Sequence, residues 1–319
     1  MNLIMNLDNE NYSIHDATKL QNYMRCPRYY FFQHILGWRI EEPNVHQEFG
    51  EAWHKAMETL LLYGYTKDSV ILAYGRLLNH YRTHFDEMSD DLRYPKTPDF
   101  ALDMLQRYVR KFAGDESMFR TLYTEIGGSV SIGYSRVVYF KTDSILQYIS
   151  GPYTGRYFSL EHKTTKTMKG TWLDDWSLKM QIFIYTHVLK CMYGTDAIGV
   201  YINGAQFQKT NPDFGRYLIL KTDSQMELWL SEVNQLIDRI EEDLDEFREE
   251  KNNHSRLMLS FPRNTESCTK YNTLCIYHNF CTSWQNPLLY ADAEIPPPGF
   301  KLDLWDPRRR EVSHTMNIT

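Results

Sequence analysis

Residues 156–163 read Arg156-Tyr157-Phe158-Ser159-Leu160-Glu161-His162-Lys163, and this stretch decides how the chain folds. Its alternation is that of a strand. A period of two puts Phe158, Leu160 and His162 on one face and Ser159, Glu161 and Lys163 on the other. Glu161 and Lys163 then project side by side, about 6.6 Å apart at about 3.3 Å per residue. Upstream, residues 125–146 are rich in Val, Ile, Tyr and Ser and are punctuated by Gly127, Gly128 and Gly133. That is the pattern of two antiparallel strands. The second carries Asp143, and seventeen residues separate it from Glu161, with a turn through Ser150-Gly151-Pro152. Two neighbouring strands can therefore bring both carboxylates to one point.

Outward from this centre the pattern changes. Residues 16–36, 48–63, 68–85 and 98–112 carry apolar side chains at three-four spacing, as helices do. Pro27 should split the first of them, and Gly37 and Gly64 are stop signals. After the lysine strand, residues 176–193 read as a helix, and 197–208 with 216–220 as a hairpin. From Ser260 the chain is loop-like, and the tail from Pro287 should lie over the surface.

The chain has 319 residues, 42% hydrophobic and 24% charged, which excludes a disordered or collagen-like chain. Its formal net charge of −6 argues at first against nucleic acid as a partner. The charge is uneven, however. Residues 224–251 hold ten acids and three bases, a net of −7, so the remainder sums to +1. Leu230, Val233, Ile237, Ile240, Leu244 and Phe247 mark that segment as one amphipathic helix with a solvated acidic face. No apolar run approaches the roughly 18 residues of a membrane span, and the start lacks the layout of a secretory signal. The expectation is a cytoplasmic protein with reduced cysteines. No Walker-type glycine loop is present.

Paired carboxylates beside a lysine suit metal-assisted phosphodiester hydrolysis. Hard oxygen ligands hold Mg²⁺ or Mn²⁺, and a lysine can orient the attacking water or neutralise developing charge. An exposed salt pair on one strand face is the alternative for the tripeptide alone. His54 is either a ligand or a helix-face histidine bonded to a neighbour. Gln181 and Tyr185, four apart on one helix face, either serve the site or pack as ordinary residues. Lys166 and Lys169 follow the lysine strand and can meet phosphates, with Trp172 able to stack on a base, or they belong to a surface loop. Arg308-Arg309-Arg310 reads as a solubilising run or a phosphate contact.

Five elements in order resemble the RecB-like branch of the PD-(D/E)XK nuclease superfamily. They are Tyr23-x-x-Cys26-Pro27-Arg28-Tyr29-Tyr30, Gly50-x-x-x-His54, Asp143 in a strand, Glu161-His162-Lys163-Thr164, and Gln181-Ile182-Phe183-Ile184-Tyr185. The resemblance spans residues 18–285. It implies an α/β fold with a central mixed β-sheet flanked by helices, a restriction-endonuclease-like core. It also implies that His54, Asp143, Glu161 and the backbone of His162 ligate the metal, that Lys163 is catalytic, and that Gln181 and Tyr185 position the DNA or the lysine.

Cys268, Cys275 and Cys281 are spaced C-x6-C-x5-C, with Cys26 far upstream. Four thiolates suit tetrahedral zinc or a [4Fe–4S] cluster, and structural zinc usually takes close C-x2-C knuckles, which are missing. The arrangement resembles the iron–sulfur staple of RecB-like nucleases of the AddB, CRISPR-associated and phage types. Cys191 shares a helical stripe with Ile184 and Val188 and is expected to be a buried small residue.

The organisation expected is an N-terminal helical region (1–115) carrying Cys26 and His54, a nuclease core (116–222), an acidic helix with the cluster cysteines (223–285) and a tail (286–319). The function implied is a metal-dependent DNA exonuclease acting on ends or single strands in recombination, repair or phage DNA processing. A nuclease trimming DNA for CRISPR adaptation and a non-catalytic cluster-bearing DNA scaffold are the alternatives. The partner is DNA and no membrane; a second copy or a recombination or CRISPR protein as a further partner is left open.

Overall fold

The protein is described by a computed structural model covering residues 9–270, 273–284, 286–291 and 295–319. In chain order, α1 (Ala17–Arg25) stops at Cys26, and α2 (Pro27–Tyr30) restarts with Pro27 at its first turn and runs into a π turn, Phe31–Ile35. Then come β1 (Trp38–Ile40), α3 (Val45–Tyr63), α4 (Lys67–Arg82), α5 (Asp90–Arg93), α6 (Pro98–Lys111) and α7 (Asp115–Met118). The central strands are β2 (Phe119–Gly133), β3 (Arg136–Tyr148) and β4 (Tyr157–Thr165). They are followed by α8 (Trp172–Ser177), α9 (Met180–Tyr193), β5 (Ala197–Gln206), β6 (Asp213–Ile219) and α10 (Asp223–Asn252). The rest holds β7 (Thr269–Lys270), β8 (Thr273–Leu274), α11 (His278–Ser283), β9 (Phe300–Leu302) and β10 (His314–Ile318).

The fold is α/β, with a mixed six-stranded sheet in the order β10-β2-β3-β4-β5-β6. β3 and β4 are antiparallel, as are β5 and β6, while β4 runs parallel to β5 and β10 parallel to β2. The parallel step from β4 to β5 is made by α8 and α9, since a parallel pair needs a crossover. The chain forms two compact units. One is Met1–Glu42, Ser131–Tyr139 and Glu227–Arg310; the other is Pro43–Val130, Phe140–Met226 and Glu311–Thr319.

In the second unit α3 is the organising helix. Asn44 caps it, its side chain accepting from His46 N and Gln47 N, and Gly64 ends it at φ 81°. Phe49, Ala52, Trp53, Ala56, Met57 and Leu60 fall on one stripe and are fully buried against α4, α6 and the end of the sheet, where Phe207 and Phe214 meet Trp53. In the first unit α10 buries Val233, Ile237, Ile240, Leu244 and Phe247. Two of its acids turn inward instead of to solvent. Asp243 accepts from Tyr23 Oη at 2.5 Å and from Phe261 N at 2.9 Å. Glu250 accepts from Ser260 Oγ at 2.6 Å.

Three local expectations change. The helix read over 176–193 is broken: α8 ends at Ser177 and α9 starts at Met180. The tail also contributes structure, β9 pairing with β1 and β10 with β2. Cys191 is exposed, its Sγ 3.7 Å from His187 Nε2. Its helical angle is that of Ile184 and Val188, but it lies in the last turn of α9, and angle alone does not say where along a helix the cover ends.

The β10–β2 pairing rests on a glycine. A Cβ on Gly128 would lie 1.7 Å from Met316 O, at a φ of 151°. Gly128→Ala should lower stability by about 2–3 kcal/mol, read from the urea midpoint; an unchanged midpoint would mean that β10 is not held there.

Candidate active site

Strand pairing brings the central residues together. The β3–β4 register matches Ile145 with Ser159 and Leu146 with Phe158, and Asp143 and Glu161 each lie two residues beyond the Ile145–Ser159 pair. The ladder opens at this point. Asp143 Oδ2 accepts from His162 N at 2.7 Å, and Ser144 Oγ donates to Leu160 O at 3.0 Å. Side chains of β3 thus satisfy the backbone of β4.

Asp143 Oδ1 lies 2.9 Å from Nδ1 of His54, which α3 delivers from the position after Trp53 of its apolar stripe. Burial favours the neutral His54 ring, but the Asp143 charge and hydrogen bond outweigh it and raise the histidine's pKa. Burial likewise opposes ionisation of Asp143, yet the charge and hydrogen bond of His54, with Lys163 adding to them, hold that carboxyl well below the usual carboxylate range. Glu161 goes the other way. It is 1% exposed, and burial together with the Asp143 charge raises its pKa against the pull of Lys163. Two neighbouring carboxylates are thereby driven apart.

Glu161 Oε1 accepts from Lys163 Nζ at 2.5 Å and from Gln181 Nε2 at 2.7 Å. Its Oε2 is buried with no hydrogen-bond partner. Lys163 also lies over the Trp176 ring, 5.2 Å from its centroid. Gln181 donates to Tyr185 Oη at 2.8 Å as well, and Tyr185 Oη donates to the Lys141 carbonyl. The Gln181–Tyr185 pair therefore ties α9 to β3 and braces Glu161.

His162 is fixed on its other side. Asn203 Nδ2 donates to its Nδ1 at 2.9 Å and to Tyr108 Oη at 2.8 Å, and Arg216 holds Asp115 through two bonds. Burial drops the His162 pKa to about 3, so this ring stays neutral. Its Nε2 is a second buried atom with no partner.

One acidic residue was missed from sequence. Glu125, on β2 at φ 46°, forms with His54 and Asp143 a group whose ligand atoms all lie within 4.8 Å of one another. Lys141 Nζ contacts it at 2.5 Å. Its signal was an acid just before Gly127-Gly128, inside a segment read only as strand. Lys166 and Lys169 are exposed in the loop after β4. Trp172 is engaged by Trp176 and Tyr217 and covers Gly204.

The four remaining cysteines belong to the first unit. Cys26 Sγ accepts from Asn264 N at 3.3 Å, and Cys275 N donates to Cys268 O at 2.8 Å. Burial pushes the Cys281 thiol up to about 11, Arg28 pulling it back and Cys26, Cys275 and Cys268 adding to the rise. Arg308 pairs with Asp306 and Glu10, so that part of the basic run is neutralised locally.

A sequence profile of the PD-(D/E)XK nuclease superfamily matches residues 17–282, and the chain belongs to that superfamily. Its members are nucleases, and dependence on divalent metals is general among them. A solved structure described as "Crystal structure of SSO0001" is 13% identical, covering 83% of this chain and 93% of that chain with a TM-score of 0.27. No curated protein matches. Among the described residues no helix is long and apolar enough to cross a membrane.

The His54–Asp143 pair carries a pH signature. The raised histidine contributes stability below its ordinary value of about 6.5 and loses it as pH rises through the folded value. The lowered aspartate contributes above about 3.9 and loses it only in acid. In metal-free protein, His54→Gln should therefore cost about 2 kcal/mol near pH 5.5 and clearly less near pH 8.5. Equal losses in denaturant titrations at the two pH values would show that the pair is not charged.

Proposed function

We propose that the chain is a divalent-metal-dependent DNA exonuclease that hydrolyses phosphodiester bonds at DNA ends and prefers single strands, in recombination, repair or phage DNA processing. The observation that carries this reading is the bare Oε2 of Glu161, buried without a partner while Oε1 of the same carboxylate holds Lys163 and Gln181. A buried carboxylate oxygen without a partner costs about 1–3 kcal/mol or more, and a hard cation is the partner such an atom suits. The donor types suit Mg²⁺ or Mn²⁺: His54, Asp143 and Glu125 lie close enough together to share an ion, and Glu161 and the His162 backbone carbonyl would complete the shell. Bound there, such an ion stabilises charge on the phosphate and makes a water more acidic.

The chain's own groups do the rest. Lys163 holds its ammonium against Glu161 and above Trp176, where it orients the attacking water and offsets charge developing on the phosphate. Gln181 and Tyr185 keep Glu161 in place from the β3 backbone. Asp143 stays ionised under all ordinary conditions because His54 and Lys163 favour its charged form. Lys166 and Lys169, exposed beside the site, meet the phosphates of the strand, so binding should weaken with salt.

The proposal includes a [4Fe–4S] cluster on Cys26, Cys268, Cys275 and Cys281. It would join α2 to the segment around α11 and stabilise the first unit by ligation. What supports the cluster over zinc is the spacing, since Cys268, Cys275 and Cys281 lack the close C-x2-C knuckles that structural zinc usually takes.

Lys163→Ala should reduce Mg²⁺- or Mn²⁺-dependent cleavage of end-labelled single-stranded DNA by about 10²–10⁴-fold while the thermal transition is kept; undiminished cleavage would remove Lys163 from the site. Anaerobically purified protein should hold iron and acid-labile sulfide in equal amounts, and Cys26→Ala should lose both where Cys191→Ala does not. Colourless protein with stoichiometric zinc would overturn the cluster.

A further inference from the structure

A second group of ligand-type side chains lies away from the catalytic residues, on the helices that build the core of the second unit. Glu48 is in the first turn of α3. His80 is in the last turn of α4, and His84 follows one turn later, its N bonded back to Tyr81 O at 3.1 Å. The two rings lie close together, their centroids 5.3 Å apart. Glu48 Oε2 is 3.5 Å from His80 Nε2 and 3.1 Å from His84 Nε2, and all three ligand atoms lie within 4.8 Å of one another. Ligands at about 2.0–2.1 Å around a tetrahedral ion are about 3.3 Å apart, and the two Glu48 distances bracket that value. Independently, His80 Nε2 is buried and makes no hydrogen bond. Glu51 Oε2, 3.9 Å from His80 Nε2, is within reach as a fourth donor.

We infer that Glu48, His80 and His84 form a binding site for a late first-row divalent ion, zinc by availability, which clamps the start of α3 to the end of α4. Two imidazoles and a carboxylate select such ions over Mg²⁺. The clamp acts on the helix that also carries His54, six residues beyond Glu48, so it steadies the helix that presents that residue. The rival account is a plain His84–Glu48 hydrogen bond with His80 left idle. This inference does not depend on the nuclease reading, because ion binding is read without DNA.

The test is titration of full-length protein with Co²⁺ as a spectroscopic stand-in for zinc, followed by Zn²⁺ displacement and thermal melting. Wild type, His84→Gln, Asp143→Asn and the double variant are compared. A Co²⁺ spectrum of nitrogen and oxygen ligands, without a sulfur-to-cobalt charge-transfer band, should persist in Asp143→Asn and weaken at least about tenfold in affinity in the double variant. Zn²⁺ should raise the melting temperature of Asp143→Asn but not of the double variant. His84 is partly exposed, so His84→Gln should fold; His80→Gln, with the same expected loss of affinity, is the second variant. Equal Co²⁺ affinity with and without His84, a signal of thiolate type only, or no binding in Asp143→Asn would overturn the inference.

Discussion

Asp143 and Glu161 stand on neighbouring antiparallel strands, both buried, and two carboxylates so placed repel. The second unit is arranged around relieving that repulsion. α3 supplies His54 to Asp143, β4 supplies the His162 N–H and Lys163, and α9 supplies Gln181. Three elements, α3, β4 and α9, thus bring four positive or donating groups to the two carboxylates. Relief is incomplete at Glu161 Oε2, which is buried with no hydrogen-bond partner.

A buried charge network of this kind contributes little net stability, because desolvation of each ion offsets the attraction. The unit is held by its apolar packing. One stripe of α3 buries Phe49, Trp53, Met57 and Leu60 against α4 and α6. A stiff helix secured along one face can then carry polar groups beside that face at defined positions, His54 toward the sheet and Glu48 toward α4. The polar site is positioned by hydrophobic contacts that do not take part in its chemistry.

The net charge of −6 gains a different meaning from this arrangement. Most of the acids of α10 stay on its outer face, while Asp243 and Glu250 serve as anchors for the turn at Leu259–Phe261. Overall charge therefore says little about the surface beside Lys163, where Lys166 and Lys169 are exposed.

Local pattern was enough to read the strand of Glu161 and Lys163, the hairpin before it, the helices from Ala17 to Lys111 and the spacing of Gln181 and Tyr185. Those features depend on side-chain period, proline, glycine and caps, which act over a few residues. It was also enough to align five motifs along one chain. What tertiary structure alone decided involves residues far apart in sequence. Glu125 joins His54 and Asp143 only because β2 passes beside β3. Gln181 braces Glu161 only because α9 crosses back over the sheet. Cys191 is exposed although its helical angle matches buried neighbours, and β10 leaves the surface tail to join β2. Burial, register and the shift of a pKa arise from what packs against a residue, and neighbours along the chain do not specify that.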